Sequence, residues 1–225
     1  KEKTGIIRNF AAFQPEGFYF ACVSDGKIEK VDTTGKLLLE IEGLTDPFEM
    51  ASGKNGELLV QDAANNKIMR FNSEGELIAQ YDGDANISVY SDLDGNPLGL
   101  KTEKDSFVLF KMAGIRAPKE VEIGRFPCDL PSGKGVYFPK QKILGTDSAG
   151  NVFIELIAID KEGIIHSYRI VKLSPLGKIL GKTEIRPFAE TTPEIPMSLV
   201  VTPDGNLMGF HAGEKEFIVS IYAIK

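Results

Sequence analysis

Leu58–Gln80 reads LLVQDAANNKIMRFNSEGELIAQ. Two short apolar runs flank the polar turn Ala63-Ala64-Asn65-Asn66, and the turn Ser73-Glu74-Gly75 starts a third run. Apolar runs of this length, bounded by residues that tolerate tight turns, are the pattern of an antiparallel β-meander.

The pattern recurs along the chain. The four strands of one unit are written a to d. The glycine that ends the a–b turn recurs as Gly17, Gly56, Gly95, Gly150 and Gly205, and that of the c–d turn as Gly35, Gly75, Gly114 and Gly177. The two turns lie 18 residues apart in unit one, 19 in units two and three, and 27 in unit four, where the longer segment IAIDKEGIIHSYRI holds the b–c hairpin. A fixed period of this size marks a repeat architecture in which each unit buries its faces against its neighbours.

Unit one spans Ala11–Gly43, unit two Phe48–Gly83, unit three Ile87–Phe126 and unit four Gln141–Pro187. Linkers Pro127–Lys140 and Phe188–Pro196 separate the later units. Unit five supplies only three strands, MSLVVTP, NLMGFHA and FIVSIYAI, while Thr4–Phe10 precedes unit one and belongs to none of its strands. The expected fold is therefore an all-β, single-domain β-propeller over residues 1–225, with five four-stranded blades. The N-terminal strand is expected to close the last blade and so remove an exposed edge. A six-bladed arrangement is the alternative.

At Leu59–Gln80 the sequence resembles an NHL-type propeller repeat, with Asp62, Asn65, Asn66, Lys67, Ile68, Phe71 and Gly75 in the matching places. Unit one keeps Lys27, Ile28, Asp32 and Gly35, and unit four keeps Arg169, Ile170, Lys172 and Gly177. The resemblance implies a propeller and implies that Asp62 holds turn amides, but it implies no particular activity.

The net charge of −6 is spread over interspersed acidic and basic residues, a surface that repels phosphate backbones and argues against a nucleic-acid partner. No apolar run approaches the roughly 20 residues that span a bilayer. Cys22 sits in the apolar run FYFACVS, as a buried thiol does. A disulfide with Cys128, the only other cysteine, is the alternative. The chain opens on Lys1 rather than Met, which is read as the trace of a removed leader and points to an extracytoplasmic protein, in the periplasm or at the cell surface.

Motifs of chemistry are sparse. Asp82, Asp84 and Asn86 have the one-three-five spacing of a calcium loop, but Ile87 and Leu93 stand where such a loop needs Gly and Glu. Asp92 and Asp94 align with the a–b turns of other units and read as turn residues. His166 and His211, the only histidines, both fall in b–c regions, near Asp160, Glu162, Glu214 and Glu216. Such a set has the make-up of a metal or proton-transfer site, although two surface histidines is the plainer reading. Glu49 is the only acid on the a strands, which argues against a two-carboxylate hydrolase.

The irregular connections carry more promise. Asp46–Phe48, Pro127–Pro139 with Tyr137 and Phe138, Asp160–Ser167 and Phe188–Met197 all belong to d–a or b–c connections. Rigid aromatics bury much area at low entropy cost. The expected function is a non-enzymatic binding scaffold, with no cofactor and no catalytic set, that contacts a protein or peptide through Asp46, Phe48, Tyr137, Phe138, His166 and His211. The alternative is a metal-dependent lactonase- or lyase-like propeller enzyme with its ion near His166, His211 and Glu49.

Overall fold

The computed structural model describes residues 7–13, 17–22, 25–83, 87–92, 94–114, 119–128, 137–162, 164–185, 198–212 and 217–224. They form five small antiparallel sheets, the blades of a five-bladed β-propeller fold. Blade one holds β1 (Ile7–Phe13), β2 (Gly17–Cys22), β3 (Lys27–Asp32) and β4 (Leu37–Ile41). Blade two holds β5 (Pro47–Ser52), β6 (Leu58–Asp62), β7 (Lys67–Phe71) and β8 (Leu77–Asp82). Blade three holds β9 (Ser88–Ser91), β10 (Pro97–Glu103), β11 (Ser106–Ala113) and β12 (Lys119–Pro127). Blade four holds β13 (Tyr137–Thr146), β14 (Val152–Ile159), β15 (Ile165–Leu173) and β16 (Ile179–Glu184). Blade five holds β17 (Ser198–Val201), β18 (Asn206–Ala212) and β19 (Phe217–Ala223). Strands pair in chain order within every sheet.

The chain divides into two compact units. One comprises Lys1–Thr102 with Leu109–Glu122, and the other Glu103–Val108 with Ile123–Lys225. In the first unit, one core cluster joins Tyr19, Ala21 and Ile28 of blade one to Met50, Leu58, Val60 and Phe71 of blade two. A second joins Leu59, Ile68 and Tyr81 of blade two to Val89, Phe110 and Met112 of blade three. In the second unit, Phe153, Tyr168 and Ile170 of blade four pack on Leu207 of blade five.

This packing explains the strand sequences. A second strand such as β6 is buried on both faces, so it reads as an apolar run rather than an alternation. An outer strand such as β16 alternates exposed and half-buried residues.

The hairpins share one device. Asp32 Oδ1 accepts N–H bonds from Thr34 and Lys36, and Asn72 Oδ1 does the same for Glu74 and Glu76. Asp92 serves Asp94 and Asn96, Asp147 serves Ala149 and Asn151, and Ser174 serves Leu176 and Lys178. Each side chain substitutes for a backbone acceptor inside its turn. Asp92 is thus a turn residue, as its alignment predicts. The pattern places the turn glycines in the left-handed region, for instance Gly75 at φ 82°.

Two expectations need correction. Ile7–Phe10 is not a fourth strand for blade five. It runs on into Ala11–Phe13 as β1 and pairs with β2 of blade one, with Ile7 opposite Cys22 and Phe10 opposite Phe20. The apolar run Phe10–Phe13 holds no turn residue, and the register shift between Ile7 and Asn9 leaves β1 continuous. Thr4–Ile6 lie outside the described residues. Second, Tyr137 and Phe138 belong to strand β13 rather than to a linker loop. The longer β14–β15 hairpin offers a longer partner, and Tyr137 sits opposite Ile159.

Cys22 and Cys128 are both buried and form no disulfide with each other. Among the described residues no helix is long and apolar enough to cross a membrane.

Candidate functional site

All six residues expected to bind fall at one end of their own sheets, the end of the b–c hairpin. In blade two, β6 ends at Asp62 opposite Pro47, the first residue of β5. The Asp62 side chain is 1% exposed. It accepts N–H bonds from Thr45 at 3.1 Å and Asp46 at 2.8 Å, and a third bond from the Asn65 side-chain amide at 2.8 Å. Asn65 also donates to Thr45 Oγ1. Asn66 closes the turn at φ 52°, a conformation that Asn tolerates better than most residues. Asp46 is therefore held through its backbone, and its carbonyl accepts the Ala63 N–H. Phe48, two residues on, is 41% exposed. Glu49 Oε2 accepts the Val89 N–H at 3.0 Å, which ties the first strand of blade two to that of blade three.

In blade four, the pairing of Tyr137 with Ile159, and of Ile159 with Ile165, sets three strands level at the hairpin end. The hairpin is locked by Asp160. Its Oδ1 accepts N–H bonds from Glu162 and Ile164, and its Oδ2 lies 2.7 Å from His166 Nε2. This bond from His166, with the two turn amides, holds the Asp160 carboxyl below the usual carboxylate range. Ile164 and Ile165 are exposed beside the pair.

Deeper in the same sheet, Tyr168 donates to the buried Glu155 carboxylate at 2.6 Å. Burial, then the adjacent Glu155 charge, pushes the Tyr168 phenol well above its ordinary value. This pair escaped the sequence reading. Its signal was the lone acid in VFIELIAI, facing YRI across the hairpin.

His211 lies in β18 opposite Ile218, also at the hairpin end of its blade. Asp84, Asn86, Glu214, Glu216 and Phe188–Met197 lie outside the described residues. Among the described residues no group of three or more His, Cys, Asp or Glu is placed to hold a metal ion. Of the three residues the metal-enzyme alternative needs, Glu49 is engaged by a backbone amide and His166 by Asp160.

The Asp160 lock makes a pH prediction. Its folded-state pKa is depressed, so the stability it contributes is complete above the ordinary carboxylate value of about 4 and is lost as pH falls through the lower folded value. Melting temperatures measured on either side of that window should fall more for the wild type than for Asp160→Asn. Equal falls would remove the lock.

No family model matches the chain, and no curated protein matches it at a significant level. Solved structures do. Virginiamycin B lyase from Staphylococcus aureus aligns over 100% of this chain and 86% of its own, with a TM-score of 0.55 and 15% identity. A protein of unknown function from Bacteroides caccae aligns over 94% and 73%, with a TM-score of 0.58 and 12% identity. A protein from Lactobacillus plantarum aligns over 97% and 70%, with a TM-score of 0.55 and 13% identity. The likeness is one of fold.

Proposed function

We propose that the chain is a non-enzymatic binding propeller, exported to the periplasm or cell surface, that takes a protein or peptide on the hairpin ends of its blades. The contact residues in this reading are Asp46 and Phe48 in blade two, Tyr137, Phe138 and His166 in blade four, and His211 in blade five. The blade-two repeat is read as NHL-type, on Asp62, Asn65, Asn66 and Lys67. One observation carries the proposal. The acids at these ends serve the chain's own amides, Asp62 on Thr45 and Asp46 and Asp160 on Glu162 and Ile164, while Phe48, Ile164 and Ile165 are exposed beside them. Apolar side chains on a rigid polar frame suit recognition, because little order has to be gained on binding. The test is cross-linking in a cell-envelope fraction with wild type, Phe48→Ala and the Tyr137→Ala/Phe138→Ala pair. Loss of the same partner from both variants supports the assignment, and undiminished capture by both ends it.

A second reading is favoured by the Asp160–His166 pair, since a carboxylate 2.7 Å from a ring nitrogen orients an imidazole for proton transfer. It is also favoured by the lyase among the fold's neighbours. Incubation with virginiamycin B, followed by mass spectrometry, tests it. Turnover that disappears in His166→Ala would establish lyase chemistry, and an unaltered substrate would leave the binding reading in place.

A further inference from the structure

The β14–β15 hairpin of blade four closes with the same turn device as its siblings, but with different residues. In the turns at Asp92 and Asp147, one carboxylate oxygen accepts two backbone N–H bonds. The other accepts the side-chain amide of an asparagine four residues on, Asn96 at 2.9 Å and Asn151 at 2.8 Å. Asp160 takes its two N–H bonds in the same way, from Glu162 and Ile164. Here the place of the asparagine is held by Ile164, which is 59% exposed. The second oxygen is bonded instead by His166, two residues further along. Asparagine is sufficient for a lock. The exchange adds two things that a lock does not need, an apolar side chain at the surface and an imidazole.

His166 also stands out of the sheet's register. Ser167 pairs with Ala158 and Ile165 with Ile159, so His166 is the extra residue of a β-bulge. A bulge re-aims a side chain, and bulges cluster next to functional sites. The ring's Nε2 lies 2.7 Å from Asp160 Oδ2. An ionised carboxylate can only accept, so Nε2 carries the proton, and in the neutral ring Nδ1 is then a bare acceptor. Among the described residues nothing else bonds the ring. Nδ1 is open to solvent, in a side chain that is 18% exposed.

We propose that His166 Nδ1 is the polar anchor of the blade-four binding surface, accepting one N–H or O–H bond from a peptide whose apolar side chain rests on Ile164 and Ile165. This role depends on the binding reading above and specifies the partner: a hydrogen-bond donor next to an apolar group. Ile164 and Ile165, exposed by 59% and 45%, supply the apolar contact. The bond to Asp160 fixes the ring before the peptide arrives, so little side-chain order has to be gained on binding. A partner that offers a carboxylate at this point meets a lone pair and is refused.

Two measurements test it. Long-range nitrogen NMR of the histidine rings at mildly alkaline pH should find the His166 proton on Nε2, and a proton on Nδ1 overturns the proposal. A random peptide library displayed on phage and panned against the protein supplies the probe. The selected peptides should bind His166→Gln about tenfold more weakly, because its amide still donates to Asp160 but no acceptor stands where Nδ1 was. The melting temperature of that variant should match the wild type, which shows the lock intact. Should it melt lower or fail to fold, Ile164→Asn decides. It installs the residue that the Asp92 and Asp147 turns carry, gives Asp160 an amide in place of the ring, and should weaken the same peptides by a similar factor. Peptides that bind these variants as tightly as the wild type overturn the anchor and leave the binding reading standing. A library that yields no peptide ends both.

Discussion

Asp62→Ala is expected to lower stability by about 3 kcal/mol, because it removes a buried acceptor of three hydrogen bonds at once. The Thr45 and Asp46 amides would lose their shared acceptor, and the start of β5 would lose its anchor. An unsatisfied buried polar group costs about 1–3 kcal/mol. In a chain of this length each kcal/mol moves the melting temperature by about 2–4 °C, so a fall of roughly 6–12 °C is expected by circular dichroism. Asp62→Asn keeps one carbonyl oxygen and should lose about half as much. A melting temperature for Asp62→Ala within error of the wild type would mean that the entry to blade two is held by something other than this carboxylate.

The second large effect is expected at Gly177. Its φ is +74°, and a Cβ there would stand 2.5 Å from Gly124 Cα and 2.7 Å from the Ile123 carbonyl oxygen. Both obstacles are backbone, so no side-chain rotation relieves them. Gly177→Ala should cost about 4 kcal/mol, of which about 1–2 is the left-handed conformation and the rest the lost approach of the blade-four turn to β12. Gly35 is the control within the same molecule. It occupies the same turn position in blade one at φ +84°, with nothing within 4 Å of the added carbon. Gly35→Ala should therefore cost only the conformational part, about 1–2 kcal/mol. Chemical denaturation of the two variants side by side separates the terms, and equal losses would place the whole cost in the turn.

The strand order was legible because two independent signals agreed. Turn residues at fixed offsets and apolar runs between them locate nearly every strand of blades two, three and four. The resemblance implies that Asp62 holds turn amides; the backbone amides it holds are those of Thr45 and Asp46, on the connection into β5, while its own turn contributes the Asn65 side chain. The N-terminal strand is not legible in the same way: the three strands of unit five leave a place for it, and only the pairing of Ile7–Phe13 with β2 assigns it to blade one. Tyr137 and Phe138 fall in the stretch Pro127–Lys140 that the repeat spacing leaves as a linker. Their strand exists because the β14–β15 hairpin lengthens the sheet beside them. The His166–Asp160 bond joins residues only six apart, but it needs the turn geometry to bring them together.

The meander wiring bears on how the chain comes to be folded. Each sheet is made of strands consecutive in sequence, and its hairpins carry side-chain acceptors that close the turn locally. The strand pairings thus join consecutive strands, which needs no long loop to be closed within a blade and favours its formation. A blade can pair its strands soon after it leaves the ribosome, before the next has been made. The slow events are then those that pack one sheet on another. Substitutions in the turns should act mainly on how readily a blade forms, and substitutions in the inter-blade clusters on how long the assembled structure lasts.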